Sequence, residues 1–195
     1  MSQRAQNIVS FLKFCGKLKH LLRTGWVDHK VNNPETVASH MHRMGIISML
    51  SPEVGVDRER CIKMCLVHDI AESIVGDITP HAGVSDEDKY NQEKSAMEKF
   101  KALLLKDIDQ NSEENKEFVQ HVEELIQLWN EYEDLSTPEA ILVKDIDRFD
   151  MILQALEYED DQNTKLETFF NSTNGKFKTD FIKDLAQAVY QQRKK

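Results

Sequence analysis

The run Thr137-Pro138-Glu139-Ala140-Ile141-Leu142-Val143-Lys144-Asp145-Ile146-Asp147-Arg148-Phe149-Asp150-Met151-Ile152-Leu153 decides the fold. Threonine is a good N-cap and proline a favoured first helical residue, so a helix begins here and is expected to reach about Tyr158. Its apolar residues occupy most angles of the helix instead of one stripe, and a helix of that kind sits in the middle of a bundle. Yet the same run holds three aspartates. Burying a carboxylate without compensation is costly, so these side chains need a reason.

The rest of the chain surrounds this helix with others. Ile8, Phe11, Leu12, Cys15, Leu18, Leu21 and Leu22 recur at helical spacing, predicting a first amphipathic helix from Ile8 to Leu22. Thr24-Gly25-Trp26 reads as its break and Asp28 to Pro34 as a loop. A second helix is expected from about Thr36 to Leu50, stopping before Ser51-Pro52 because proline disfavours helix in the preceding residue. Asp57 is a suitable N-cap for a third, which ends near His68-Asp69, and Ala71 to Val75 reads as a short helical piece. Ser85 with Asp88 resembles a capping box that opens a long helix through Leu104. Further helices are expected over Ser112 to Tyr132, Leu166 to Asn171 and Thr179 to Gln192. With few glycines and prolines and no repeat or linker, the 195 residues predict an all-α bundle in a single domain, 1–195.

Composition excludes several classes. A formal net charge of −9 does not suit a groove that tracks nucleic-acid phosphates, so no polymer partner is expected. No apolar run reaches membrane-spanning length, and the start lacks the features of a signal peptide, which points to a cytoplasmic protein. Three cysteines do not suggest a disulfide framework; Cys61 and Cys65, one helical turn apart among Ile62, Met64 and Leu66, read as small buried hydrophobes. Gly175-Lys176 lacks the earlier glycine and the following Ser or Thr of a P-loop. The acidic run Asp107 to Glu117 and the cluster Glu131, Glu133 and Asp134 are expected to face solvent, with contact of Glu131 or Glu133 to a sugar hydroxyl as the alternative, and His20, His29, His42 and His121 are expected at the surface.

Chemistry concentrates at His68-Asp69, followed one turn later by Glu72 and then by Gly76-Asp77-Ile78-Thr79-Pro80. An imidazole and two carboxylates end a helix of buried type, where a cation would offset their cost. His40, alone on its helix, would read as an ordinary core or surface histidine. Two imidazoles and two carboxylates would cancel the charge of one divalent ion and leave positions for water or phosphate oxygens. Periodicity places Asp145 nearer the densest apolar arc and Asp147 on the opposite side, so by itself it favours Asp145 as the distal carboxylate.

Together these segments resemble the HD-domain superfamily of metal-dependent phosphohydrolases, whose pattern is a His, a His-Asp pair and a distal Asp. The carry-over falls on His40 in Val-Ala-Ser-His, on His68 and Asp69 in Val-His-Asp-Ile-Ala-Glu, and on Asp147 in Val-Lys-Asp-Ile-Asp, since the family aspartate follows Lys by three positions. Asp145 stays the alternative, and Asp150 reads as structural. Gly25-Trp26, Glu35 to His40, His68 to Pro80 and Ser172 to Phe177 look like the eukaryotic HD-domain-containing protein 2 group, which is similar to bacterial 5′-deoxynucleotidases. The resemblance covers nearly the whole chain.

It implies a 5′-deoxynucleotidase with one divalent cation (Mn, Co, Mg or Zn), a small nucleotide substrate and a possible homodimer. Alternatives are hydrolysis of a triphosphate or alarmone, or a scaffold that binds metal or nucleotide without turnover. Glu72 would orient water or shuttle a proton, and Asp77 reads equally as an aid to the leaving 5′-oxygen or as a turn aspartate. Trp26 would pack on sugar or base and Arg23 would pair with phosphate. The bacterial enzymes place Arg immediately before this Trp, where Gly25 stands here. His81, after Thr79-Pro80, is near enough in sequence to approach the site, but no matched set of extra histidines accompanies it.

Overall fold

A computed structural model describes residues 2–193 as ten helices, and among those residues the one extended pairing is an isolated bridge between Leu22 and Thr36. The all-α expectation holds. Helix α8 (Pro138–Gln162) is the axis of the bundle, burying Leu142, Val143, Ile146, Phe149 and Ile152 on several faces. Thr137 caps it, its hydroxyl accepting from the Ala140 amide at 3.1 Å. Around it pack α3 (Val37–Leu50), α4 (Arg58–Val67), α7 (Lys116–Asp134), α9 (Glu167–Thr173) and α10 (Asp180–Arg193). Thr36 and Asp57 cap α3 and α4 through the amides of Ser39 and Arg60. Helix α6 (Asp86–Leu104), capped by Ser85, carries α1 (Gln3–Lys17) on its outer side, where Phe11 and Phe14 meet Phe100 edge-on. Cys61 and Cys65 are fully buried, as expected.

Several boundaries differ from the sequence reading, and non-local partners explain them. Helix α1 stops at Lys17, short of Leu22, because the carbonyls of Leu18 and Leu21 accept from the amides of Ala38 and Val37 at 3.2 and 2.9 Å. The first amides of any helix lack internal partners, and this segment supplies them for α3. Thr24–Asp28 is not a break but a five-residue helix, α2. Helix α7 begins at Lys116 instead of Ser112, after a turn closed by the Asn115 amide on the Ser112 carbonyl. Glu131, expected in solvent, is buried and accepts from Arg60 and from the Thr137 hydroxyl. The four-residue α5 (Glu72–Val75) ends at Gly76, whose φ of +84° is open to glycine at little cost.

Candidate active site

His40 lies in the first turn of α3 and is 0% exposed. Its Nδ1 is 2.7 Å from Asp150 Oδ2, and the other Asp150 oxygen accepts from Arg43 Nε. His68 caps the end of α4, with Nδ1 3.0 Å from the Cys65 carbonyl. Both Nδ1 partners are acceptors, so in the neutral ring each Nδ1 carries the proton and each Nε2 presents its lone pair. Both Nε2 atoms are buried with no hydrogen-bond partner. One ring nitrogen each of His40 and His68 and a carboxylate oxygen of Asp147 lie within 4.8 Å of one another, and His40 Nε2 is 3.2 Å from Asp147 Oδ1. Asp69 Oδ2 completes the group, 3.1 Å from His68 Nε2 and 3.9 Å from His40 Nε2.

Four side chains distant in sequence thus converge. Asp145 is elsewhere: it accepts from the amides of Lys178 and Thr179 at 2.6 and 2.7 Å, ahead of α10. Three positions, just under one helical turn, separate the roles on α8, with Asp147 at the cluster and Asp150 behind His40. The donor set, two imidazole nitrogens and two carboxylates, suits a divalent cation, and two buried nitrogens without partners are what such an ion would satisfy.

The electrostatics agree. Burial opposes ionisation of Asp69, but His68, Arg23 and His40 outweigh it and hold the carboxyl below its usual range. Burial also opposes Asp147, where Lys144 and His40 prevail in the same direction. Burial and Arg23 push His40 down, yet its contacts with Asp147 and Asp150 carry it up to about 9. A proton on His40 thereby answers part of the negative charge that a cation would answer. Glu72 moves the other way, pushed well above the usual carboxylate value by burial and then by Asp69 and Asp77.

Asp69 and Asp147 of the cluster line a cavity of about 280 Å³, close to the roughly 300 Å³ at which small-molecule sites begin. Glu72 lines it, 3% exposed, with Oε2 unpartnered. Arg23 lines it too, with a guanidinium nitrogen 3.2 Å from Asp69 Oδ2. Asp77 has a second task, since its carboxylate accepts from the Thr24 amide at 2.5 Å and its carbonyl from the Thr24 hydroxyl at 2.7 Å. It fastens the loop after α5 to α2. Trp26 shows only 2% of its surface; Nε1 donates to Glu35 at 3.0 Å and the ring meets Tyr158 edge-on. His81 is exposed at the cavity rim, and His42 is exposed outside it, as expected. His29, read as a surface residue, lines the cavity instead.

Tyr132 was not legible as a site residue. Its hydroxyl donates to Asp147 Oδ2 at 2.7 Å and receives Lys144 Nζ at 2.8 Å, which sets the plane of that carboxylate. Nothing in the local pattern around Tyr132 separates it from a core tyrosine. For Asp150 a signal existed, since it follows Asp147 by one helical turn in an apolar helix.

An all-helical bundle in which two buried histidines and two half-buried aspartates meet at a small-molecule cavity defines the class of hydrolase domains built around a candidate metal centre. The chain belongs to the HD domain family, whose profile matches residues 15–189. It is 44% identical to the 5′-deoxynucleotidase HDDC2 of Dictyostelium discoideum, over 96% of this chain and 99% of that one. Human 5′-deoxynucleotidase HDDC2 is 39% identical, over 97% and 87%. Among solved structures, a conserved hypothetical protein from Pyrococcus furiosus superposes with a TM-score of 0.73 at 29% identity, covering 94% of this chain and 99% of that chain.

Proposed function

We propose that this chain is a 5′-deoxynucleotidase that hydrolyses deoxynucleoside 5′-monophosphates, with one divalent cation held by His40, His68, Asp69 and Asp147. The observation that carries the reading is the pair of buried, unpartnered Nε2 atoms facing two carboxylates on the cavity wall. The names of the relatives support the substrate class. When bound, the cation supplies Lewis acidity at a phosphoryl oxygen and lowers the pKa of a water.

The protein's own groups do the rest. Asp150 and the Cys65 carbonyl keep the two Nε2 lone pairs directed at the cation. Glu72, with its raised pKa, takes a proton from the attacking water and returns it to the 5′-oxygen as the phosphorus–oxygen bond breaks. Arg23 offers a guanidinium fork to the phosphate, and Lys89, also on the cavity lining, adds positive charge. Asp77 keeps Glu72 and α2 in register through Thr24.

No helix among the described residues is long and apolar enough to cross a membrane. Three free cysteines support a reducing compartment, which we take to be the cytoplasm. We also read residues 1–195 as one domain and, from the family likeness, as a homodimer that a solution mass would test.

The decisive assay strips the protein with chelator and restores Mn²⁺, Co²⁺, Mg²⁺ or Zn²⁺ in turn. Phosphate release from deoxynucleoside monophosphates is expected with at least one ion; silence with all four overturns the reading. Glu72→Gln is expected to retain metal and lose about 10²–10⁴-fold in kcat, whereas Asp69→Ala loses the metal.

A further inference from the structure

The lining of the cavity falls into two chemical groups. One is charged and tied to the histidine cluster through Arg23, Asp69, Glu72 and Asp147; the other gathers the rings of Trp26, His29 and Phe169. Helix α9 turns Thr168, Phe169 and Ser172 toward the cavity beside Trp26 and His29. Phe169 covers Trp26, with ring centroids 4.3 Å apart and planes 33° apart, and His29 flanks it at 4.7 Å. The Trp26 ring is therefore committed: Nε1 to Glu35, one edge to Tyr158, and a face to Phe169. His29 is pinned as well, Nδ1 on the Gly25 carbonyl at 2.8 Å and Nε2 beside the Thr168 hydroxyl at 3.2 Å. Of these three rings, the half-buried Phe169 is the one left to a ligand.

Gly25 belongs to the same arrangement. A Cβ there would meet Phe169 Cε1 at 3.4 Å and Cζ at 3.6 Å, so a methyl group would fit in contact while a long side chain would compete with the ring for its place. The two cavity-lining hydroxyls of α9 already donate within the protein, Thr168 toward His29 and Ser172 to the Phe169 carbonyl at 2.7 Å, so each has only its lone pairs left for a base edge.

We infer that Phe169, backed by Trp26 and flanked by His29, is the nucleobase platform of this site. Every base has a π face, so stacking on a neutral ring holds bases with little regard to sequence identity. The inference rests on the deoxynucleotidase reading for its ligand class.

The test compares wild type, Phe169→Leu and Phe169→Tyr on deoxynucleoside monophosphates and on 2-deoxyribose 5-phosphate, which lacks the base. Phe169→Leu keeps apolar volume in the core and removes the ring. It is expected to raise KM for each deoxynucleoside monophosphate about tenfold, with kcat little changed and kcat/KM for the baseless ester the same. Phe169→Tyr is expected to behave as wild type. Equal losses on both substrate types, or an unchanged KM, overturn the platform. A second arm needs no turnover: binding of a deoxynucleoside without phosphate, followed by NMR titration, should weaken about tenfold in Phe169→Leu. A wild-type chain that binds no deoxynucleoside, or a variant that binds it equally well, also overturns the proposal. Absence of hydrolysis by wild type would sink the nucleotidase reading alone, since the binding arm would still decide the role of Phe169.

Discussion

Asp150 does not line the cavity, yet its carboxylate determines which nitrogen of His40 is free. It holds Nδ1 at 2.7 Å and accepts from Arg43 with its other oxygen, so both ends of the carboxylate are occupied in a fully buried position. A charged acceptor behind an imidazole raises its basicity and fixes its orientation. Asp150→Asn keeps the volume and removes the charge. Arg43 retains Glu157 at 2.8 Å and Gln154 at 2.9 Å, so the change need not strand it. The expected result is a 10–100-fold weaker affinity for divalent metal, of the order seen when such supporting carboxylates are altered, with kcat largely recovered at saturating metal. Calorimetric titration of the stripped protein measures this; an unchanged affinity would leave Asp150 a purely structural role. The sequence marks Asp150 as a structural aspartate, and no local feature points to a histidine 110 positions earlier.

Helix α8 carries two aspartates, Asp145 and Asp147, with opposite employment, and the difference between them is set by other elements. Asp147 meets the histidines of α3 and α4, while Asp145 accepts two amides and the Thr179 hydroxyl at the entry to α10. Asp145→Ala is expected to destabilise the fold by about 2–4 kcal/mol, as loss of hydrogen bonds to a buried charged acceptor does, and to open residues 174–193 to protease while metal affinity stays near wild type. Denaturant unfolding and limited proteolysis check it; a stability loss below about 1 kcal/mol would show that α10 is held by its apolar face alone. The pair also shows where sequence reading stops. Caps are local, so Asp57, Ser85 and Thr137-Pro138 announce their helices correctly. The helical wheel ranks Asp145 as the more buried residue, and it is, at 0% exposed. Burial alone does not say whether a carboxylate serves a cation or the amides of a helix 33 residues away. Likewise α1 ends where α3 needs acceptors, and α2 exists because Asp77 receives the Thr24 amide; both depend on chain that the local pattern does not contain. What located Asp147 was resemblance, through its spacing from Lys144.

At the scale of the whole molecule, the proposed cation site joins α3, the end of α4 and α8, three elements that pack on one another, so occupancy and folding must be linked. In the metal-free protein, a proton on His40 does part of that work. Its pKa in the fold, about 9, exceeds the ordinary 6.5, so the stability it contributes is complete below about pH 6.5 and is lost as pH rises through about 9. Glu72 is raised as well, chiefly by burial, and acts in the same direction. Glu93, raised by burial to about 7 despite Lys89, has the same sign but is spent by neutrality. Metal requires the deprotonated imidazole, so affinity should grow over the window in which the metal-free fold weakens. The melting temperature of chelated protein is therefore expected to fall between pH 7 and pH 9. A divalent ion at a hundredfold excess over its Kd adds about 2.7 kcal/mol, or about 5–10 °C for a chain of this length. At a fixed submillimolar concentration that increment should be larger at pH 9 than at pH 7. Thermal melts with and without chelator at the two pH values give the answer: equal increments, or none with any divalent ion, would break the link between the His40 proton and the proposed cation.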